Sequence, residues 1–390
     1  VKILIHSNAP WVPSGYGRQC ALLLPQLAKL GHEPAVSCFH GLSGSVIHWE
    51  GYPMFPAGQA PFGTDVLIEH ARTYEAELIL TLMDFWQLLP IARDLGELGQ
   101  LGGCHTAVWL PNDCRPVAHA DRAALAMSRA VPIGMSRWAM ENLEKAGFSA
   151  ARYVPHMVDG SVFAPMPAEE RAEYRRNMGA EGRFVIGIMA ANRDAVRKAF
   201  PEQFRAFAEF RLRHPEANAV LWVHTITQGP GGYNLVQMAE DMGITDAVQF
   251  SDQYPQVAGL LPDSALVPWF NCLDVLSNCS YAEAFGIPII EAQACGTPVV
   301  VTHGSAMTEL CGSGWTVHGD PFYNAVHRAW WTRPEIPDIL AGYERAWSAL
   351  RTPRGAARVR EKARRFALAY EVGRVVPEHW APALDALEAL

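Results

Sequence analysis

Short, nearly uninterrupted apolar runs recur along the chain, and no other feature narrows the possible folds so far. Lys2 to His6, Ala35 to Phe39, Leu78 to Leu82 and Thr106 to Leu110 lie in the first part; Phe184 to Ala190, Ala219 to His224, Val248 to Phe250 and Val299 to Thr302 lie in the second. Runs of this length without polar alternation read as strands buried on both faces of a parallel sheet. Helical spacing fills the gaps. Arg18 to Leu30 is an expected helix that stops at Gly31 and bends at Pro25, and a second helix from Pro201 carries Phe204, Phe207 and Ala208 on one face. Strand, crossover helix and parallel strand in this rhythm make doubly wound α/β sheets with right-handed crossovers.

The rhythm halts at Pro165-Met166-Pro167, a stiff break, and then restarts. Two Rossmann-like domains are therefore expected, 1–165 and 166–371, with an amphipathic C-terminal helix over 372–390 packing back on the first. In such folds ligands bind at the carboxyl ends of the strands, here between the two domains.

Composition excludes several classes. With 390 residues, 49% hydrophobic and 18% charged, the chain is too apolar for disorder. A net charge of −8, with neither half basic, argues against non-specific nucleic-acid binding. The exception is 351–365, with seven Arg or Lys and one Glu, either a solvated helix face or a surface for an anionic partner. No run of 18 apolar residues spans a membrane, and Val1 to Ile5 is too short for a signal core. Eight cysteines without a C-x-x-C pair read as free core thiols, so a reducing cytoplasm is the expected compartment and no metal site is expected.

The most informative segment runs from Tyr281 to Val300. Pro288 suits a first helical turn, Gly296 ends the helix and Pro298 opens a buried strand. The helix start then presents backbone N–H groups around Gly286 and Ile287, which attract phosphate. Glu283 precedes this start and Glu291 follows it. A loop carboxylate beside such amides accepts from sugar hydroxyls, and one on the helix can take a ribose diol. For either Glu alone, a helix cap or surface charge is the alternative.

This string resembles the E-x7-E signature of retaining nucleotide-sugar glycosyltransferases, in particular glycosyltransferase family four of the GT-B fold. Arg193 and Lys198, after the first strand of the second half, resemble the family's Arg-x4-Lys pair; Arg197 is a nearby substitute for the second cation. Pro155 to Phe163 and Val131 to Trp138 resemble the segments that close the family's first domain. The resemblance implies a hexose-type sugar moved from a nucleoside diphosphate donor, UDP- or GDP-linked, to an acceptor hydroxyl without a metal or other cofactor. It places Arg193 and Lys198 on the diphosphate, Gly286 and Ile287 beside it, Glu291 on the ribose and Glu283 on the sugar. Fixed cations are what such a leaving group requires when no metal is present.

In the first half, Trp11-Val12-Pro13-Ser14-Gly15-Tyr16-Gly17 corresponds to the family's glycine loop, with Gly15 approaching the donor and Tyr16 leaning toward the acceptor. Asp84 and Asp113 follow expected strands. Asp113, a catalytic candidate, stands where the family has the second member of a His-Asp or His-Glu pair, and Asn112 replaces the His, so the general-base role of that His does not carry over; the leaving phosphate can take the acceptor proton instead. Trp109 is a further acceptor-side candidate because its ring can stack on a sugar. Glycans, natural products, lipids and modified nucleobases all remain open as acceptors, the last being the one role left to nucleic acid. A sugar-nucleotide epimerase and a non-catalytic sugar-nucleotide or glycan-binding protein are the competing readings.

Overall fold

The computed structural model describes residues 1–389. Contacts divide the chain into two units. The first comprises Val1–Met157, Asn324–Ala329 and the segment from Val372 onward, whose last residue, Leu390, lies outside the described residues. The second comprises Val158–Tyr323 and Trp330–Glu371.

In the first unit eight strands form one sheet: β1 (Lys2–Asn8), β2 (Glu33–His40), β3 (Ile47–Trp49), β4 (Tyr52–Phe55), β5 (Leu78–Thr81), β6 (His105–Leu110), β7 (Val131–Gly134) and β8 (Arg152–Tyr153). Their order is β3-β4-β2-β1-β5-β6-β7-β8. Every pairing is parallel except β3 with β4, a short hairpin at the edge. All residues of β5 and β7 are buried, which is why β5 reads as an unbroken apolar run.

The second unit has a six-stranded parallel sheet of β9 (Val185–Met189), β10 (Val220–His224), β11 (Val248–Phe250), β12 (Val275–Asn278), β13 (Val299–Thr302) and β14 (Gly314–Val317), in the order β11-β10-β9-β12-β13-β14. The Phe200–Arg213 helix buries Phe200, Phe204, Phe207 and Phe210 against it. That helix starts one residue before the expected Pro201. A separate two-stranded ribbon pairs β15 (Gly319–Asn324) with β16 (Ala329–Pro334), a feature the apolar pattern did not announce.

Three expectations need revising. The Gly15–Lys29 helix begins earlier than Arg18 and runs continuously through Pro25, and Gly31 follows it at φ 91°. Pro165-Met166-Pro167 is not a free break: buried Asn271 accepts from the Met166 N–H (2.9 Å) and donates to the Ala164 carbonyl (2.9 Å), so the contacts count it with the second unit. Within 351–365, Arg360 and Arg364 of the Pro353–Ala367 helix turn inward. Arg360 donates to the Leu273 carbonyl (2.9 Å), and Arg364 donates to Ala294 (2.9 Å), Gly160 (2.9 Å) and Phe163. Burial pushes the Arg360 guanidinium down to about 10. Two of the seven cations thus satisfy backbone carbonyls, and the exposed face keeps Arg354, Arg358, Lys362 and Arg365.

One buried side chain closes the first unit on itself. Gln19 donates to the Met157 carbonyl (2.7 Å) and accepts from the Met157 N–H (2.8 Å), spanning 138 residues of sequence. The Trp109 ring packs edge-on against Trp380, 4.8 Å between centroids, which ties the C-terminal segment to the same unit. Replacing Gln19 with Ala leaves two buried backbone groups unpaired. At ~1–3 kcal/mol per orphaned group, Gln19→Ala should lower stability by about 2–5 kcal/mol in urea denaturation; a loss under about 1 kcal/mol would mean that water replaces the amide.

Candidate functional site

Each sheet reverses its strand order once, between β1 and β5 in the first unit and between β9 and β12 in the second. Loops leaving such strands diverge to opposite faces and open a crevice at the carboxyl edge. In the second unit those loops are 190–199 and 279–286, and they carry the cations and the first carboxylate of the motif.

Glu283 is 7% exposed and is the hub of this crevice. Lys198 Nζ donates to its Oε1 at 2.5 Å, the Ser280 hydroxyl donates to the same oxygen at 2.7 Å, and Arg197 reaches Oε2 at 3.5 Å. The Glu283 N–H donates to the Ser305 hydroxyl at 3.1 Å. Burial opposes ionisation of the carboxyl, but Lys198, Arg197 and the Ser280 hydroxyl outweigh it and hold the group below its ordinary value.

Lys198 is placed as firmly as its partner. The Gln203 amide donates to the Lys198 carbonyl (2.9 Å), while its oxygen accepts from the Ser277 hydroxyl (2.7 Å) and the Cys279 N–H (3.3 Å). One buried amide thereby links the cation loop to the end of β12. Ala199, next in the chain, sits at φ 48°, a left-handed conformation an alanine holds only when its surroundings impose it. The Tyr281 N–H donates to the Arg197 carbonyl (2.7 Å), a second tie between the two loops.

Gly286 caps the Ile287–Ala294 helix at φ 99°. A Cβ there would lie 2.7 Å from Ile289, so the position needs glycine twice over. No side chain caps this helix start, and Pro288 stands in its first two positions. Pro288 has no N–H and the Ile289 N–H donates to the Gly286 carbonyl (2.9 Å), so the N–H groups of Gly286 and Ile287 are what this helix start can offer to an anion. Glu291 is 1% exposed and lies in the second turn, one turn later than a residue bordering the helix start.

The structure brings together Lys198, Glu283, Gly286 and Ile287, and it places Arg197 beside Glu283 together with Lys198. Arg193 is exposed on the preceding turn. The adjoining Asn192 is buried and clamps the Gly229–Tyr233 loop by donating to the Tyr233 carbonyl (2.8 Å) and accepting from its N–H (2.9 Å). Ser280, Ser305, Gln203 and Asn192 carry no sequence signature of their own. Their roles follow from which loops the sheet brings side by side.

In the first unit, Ser14 caps the Gly15–Lys29 helix, accepting from the Gly17 N–H (3.1 Å) and from the Asn8 amide (2.8 Å). The glycine that close packing requires is Gly17, whose Cβ would meet the Val12 carbonyl at 2.4 Å; Gly15 is exposed at the helix start. Tyr16 is half-buried against the first unit's core. Asp84 is exposed and Asp113 half-buried, following β5 and β6 as expected. Trp109 must be withdrawn from the acceptor side. It is fully buried, its indole N–H donates to the Val154 carbonyl (2.8 Å), and its ring packs on His156 and Trp380. Although it is next to last in β6, its side chain points into the layers of the fold.

Among the described residues, no three His, Cys, Asp or Glu side chains are grouped so as to hold a metal ion, and no helix is long and apolar enough to cross a membrane.

Removing the charge from Glu283 leaves a buried ammonium without its counter-ion. Glu283→Gln should cost about 3–5 kcal/mol at pH 7. Because the folded carboxyl is held below its ordinary value near 4.5, the advantage of the native residue is complete above pH 4.5 and fades as pH falls through the folded value. Denaturation of both proteins between pH 7 and pH 3 checks this; a difference that does not shrink in acid would mean that Glu283 is not ionised in the fold.

Comparison with known proteins places this geometry. Residues 171–321 match the family model described as Glycosyl transferases group 1, so the match covers both loops of the second unit's crevice. D-inositol 3-phosphate glycosyltransferase of Corynebacterium jeikeium is 34% identical over 157 residues, which are 39% of this chain and 35% of the relative. The same-named protein of Paenarthrobacter aurescens is 34% identical over 117 residues, 30% of this chain and 27% of the relative. The matches span about a third of these curated relatives. Among solved structures, a glycosyltransferase from Rickettsia africae superimposes with a TM-score of 0.73 at 15% identity, covering 99% of this chain and 98% of the other. HepE of Anabaena, solved with UDP and glucose, gives 0.71 at 16% identity with both chains fully covered. Sucrose-phosphate synthase of Thermosynechococcus elongatus gives 0.73 at 16%, covering 100% and 99%. The fold is thus the GT-B fold, and the match to the Glycosyl transferases group 1 model falls on the segment that carries the motifs.

Proposed function

We propose that the chain is a retaining, metal-independent glycosyltransferase that takes a hexose-type sugar from a UDP- or GDP-linked donor, working in the cytoplasm. The observation that carries this reading is the buried Lys198–Glu283 pair, seconded by Arg197, beside the uncapped helix start at Gly286. An anion entering this crevice meets two fixed cations and the N–H groups of Gly286 and Ile287 at the helix start. A diphosphate is the anion that uses both. Glu283, itself oriented by Ser280 and by the ammonium, then accepts from a hydroxyl of the attached sugar, and exposed Arg193 can swing onto the distal phosphate.

Bond by bond, the sugar C1–oxygen bond to the β-phosphate breaks, and its electron pair stays on the phosphate oxygen. Lys198, Arg197 and the Gly286 and Ile287 amides stabilise that developing charge. The acceptor oxygen forms the new C1 bond on the same face, and its proton passes to the departing phosphate. No strong protein base is needed, in keeping with Asn112 in place of a histidine. Glu291 takes the ribose diol in this reading; being 1% exposed, it requires the donor to displace what covers it. Gly15, Tyr16 and Asp113 are assigned to the donor's far side and to the acceptor on the strength of the resemblance, and Asp84 on its place after β5.

Screening UDP-, GDP-, ADP- and TDP-sugars by thermal shift and slow donor hydrolysis, with and without EDTA, tests the reading. One donor should raise Tm, release its sugar with the anomeric configuration retained, and do so equally in EDTA. No shift with any donor, or activity abolished by EDTA and restored by a divalent cation, would sink it. Lys198→Ala should lower kcat/KM for hydrolysis by roughly 30- to 1,000-fold, about 2–4 kcal/mol of lost charge stabilisation. Circular dichroism of the variant separates this loss from misfolding.

A further inference from the structure

The β15–β16 ribbon carries an aromatic face that the reading above does not use. A two-stranded ribbon alone is marginally stable in water, so its anchors matter. On one face Phe322 packs edge-on against Tyr281, 5.3 Å between ring centroids, and stacks with Trp331, which is 6% exposed. The Thr332 N–H donates to the Tyr281 carbonyl at 3.0 Å. In the tip, Asn324–Ala329, which belongs with the first unit, Asn324 Oδ1 accepts from the Val326 and His327 N–H groups (3.0 and 3.1 Å). There the His119 N–H also donates to the His327 carbonyl (3.3 Å). The ribbon is thus fixed by one face and by its turn.

The other face is left to solvent. Tyr323 and Trp330, which alternate with Phe322 and Trp331 along the strands, are 50% and 49% exposed. Their ring centroids lie 5.1 Å apart with the planes at 61°, an open corner rather than a closed stack. Among the described residues, neither the Tyr323 hydroxyl nor the Trp330 indole N–H has a hydrogen-bond partner. Each residue therefore offers a ring face and an unused polar tip. A pyranose uses both, laying its C–H face on the ring and its hydroxyls on the donors.

The corner is continuous with the donor side of the second unit. Trp330 and Thr332, two residues or ~7 Å apart in an extended strand, lie on the same side of β16. Thr332 abuts the loop after β13: a Cβ on Gly304 would lie 2.7 Å from its Oγ1. The next residue, Ser305, accepts from the Glu283 N–H. Charge narrows the occupant further. The two strands hold one acid and one base, Asp320 and Arg333, and these pair with each other at 3.2 Å. The face has no row of cations for a phosphate backbone or an anionic headgroup.

We propose that the Tyr323–Trp330 face is a subsite for a neutral acceptor glycan. One sugar ring lies on the two aromatics, and the terminal hydroxyl of the same glycan reaches the sugar held at Glu283. This rests on the glycosyltransferase reading and deepens it, choosing a glycan among the acceptors that the sequence leaves open.

The probe is a printed array of neutral oligosaccharides built from glucose, galactose, mannose and N-acetylglucosamine, incubated with the whole chain and no donor. The wild type should be retained by an oligosaccharide of this set. Trp330→Ala and Tyr323→Ala should each weaken that binding about tenfold, the ~1.4 kcal/mol of one stacked ring. Trp330→Phe, which keeps a ring, should restore most of it, and circular dichroism shows that the variants are folded. Retention by no oligosaccharide, or retention unchanged in both alanine variants, overturns the proposal. Flotation with phosphatidylcholine vesicles, or binding to single-stranded DNA, that the alanine variants abolish overturns it as well. Failure of the donor screen with glycan retention intact would remove the transferase reading and leave the subsite. A successful donor screen with no glycan retained would do the reverse.

Discussion

The second unit's crevice depends on a single buried ion pair. Lys198 and Glu283 lie on loops 85 residues apart, and each is taken out of water only because the other is there. The surrounding polar groups make sense as the means of holding that pair. Gln203 fixes the Lys198 carbonyl and the end of β12, Ser280 fills a second acceptor site on Glu283, and Ser305 takes the Glu283 N–H. Ala199 is forced into the left-handed region directly after the cation. Such strain, about 1–3 kcal/mol, persists only where the structure over-determines it. The helix that carries Glu291 is fixed at its other end by Arg364, whose guanidinium takes the Ala294 carbonyl. A cation there also complements the helix dipole.

The two units invest buried charge in opposite ways. In the second, a carboxylate is kept ionised by cations at hydrogen-bonding distance. In the first, burial above all, with Asp84 and Asp113 adding to it against the Trp86 amide, raises the proton affinity of Asp121. The same residue chemistry thus gives a fixed anion in one sheet and a titrating group in the other. The difference lies in whether the flanking loops carry Lys and Arg or Asp.

Much of this was readable in the sequence where the chain punctuates itself. The Tyr281–Val300 segment announced its loop, helix start and following strand through Gly286, Pro288, Gly296 and Pro298, and the β-strands buried on both faces stood out as apolar runs. Strand β12 did not stand out, because Ser277 and Asn278 make a four-residue strand look polar; both turn out to be buried and hydrogen-bonded. The β15–β16 ribbon carries Pro321 and mixed polar residues, so neither period was visible. Trp109 is next to last in its strand, as it looked, yet its side chain sits in the core, since which way a strand-end side chain turns is not encoded in composition. Arg360, Arg364 and Asp121 were illegible for a common reason: their partners are backbone groups or residues brought near only by the finished fold.

The most direct test of the central claim is a crystal structure with UDP or GDP bound. The account predicts a diphosphate within hydrogen-bonding distance of Lys198 Nζ and of the Gly286 and Ile287 amides, with the ribose at Glu291. A nucleotide lodged elsewhere, with the Lys198–Glu283 pair closed as it is here and the helix start empty, would contradict it.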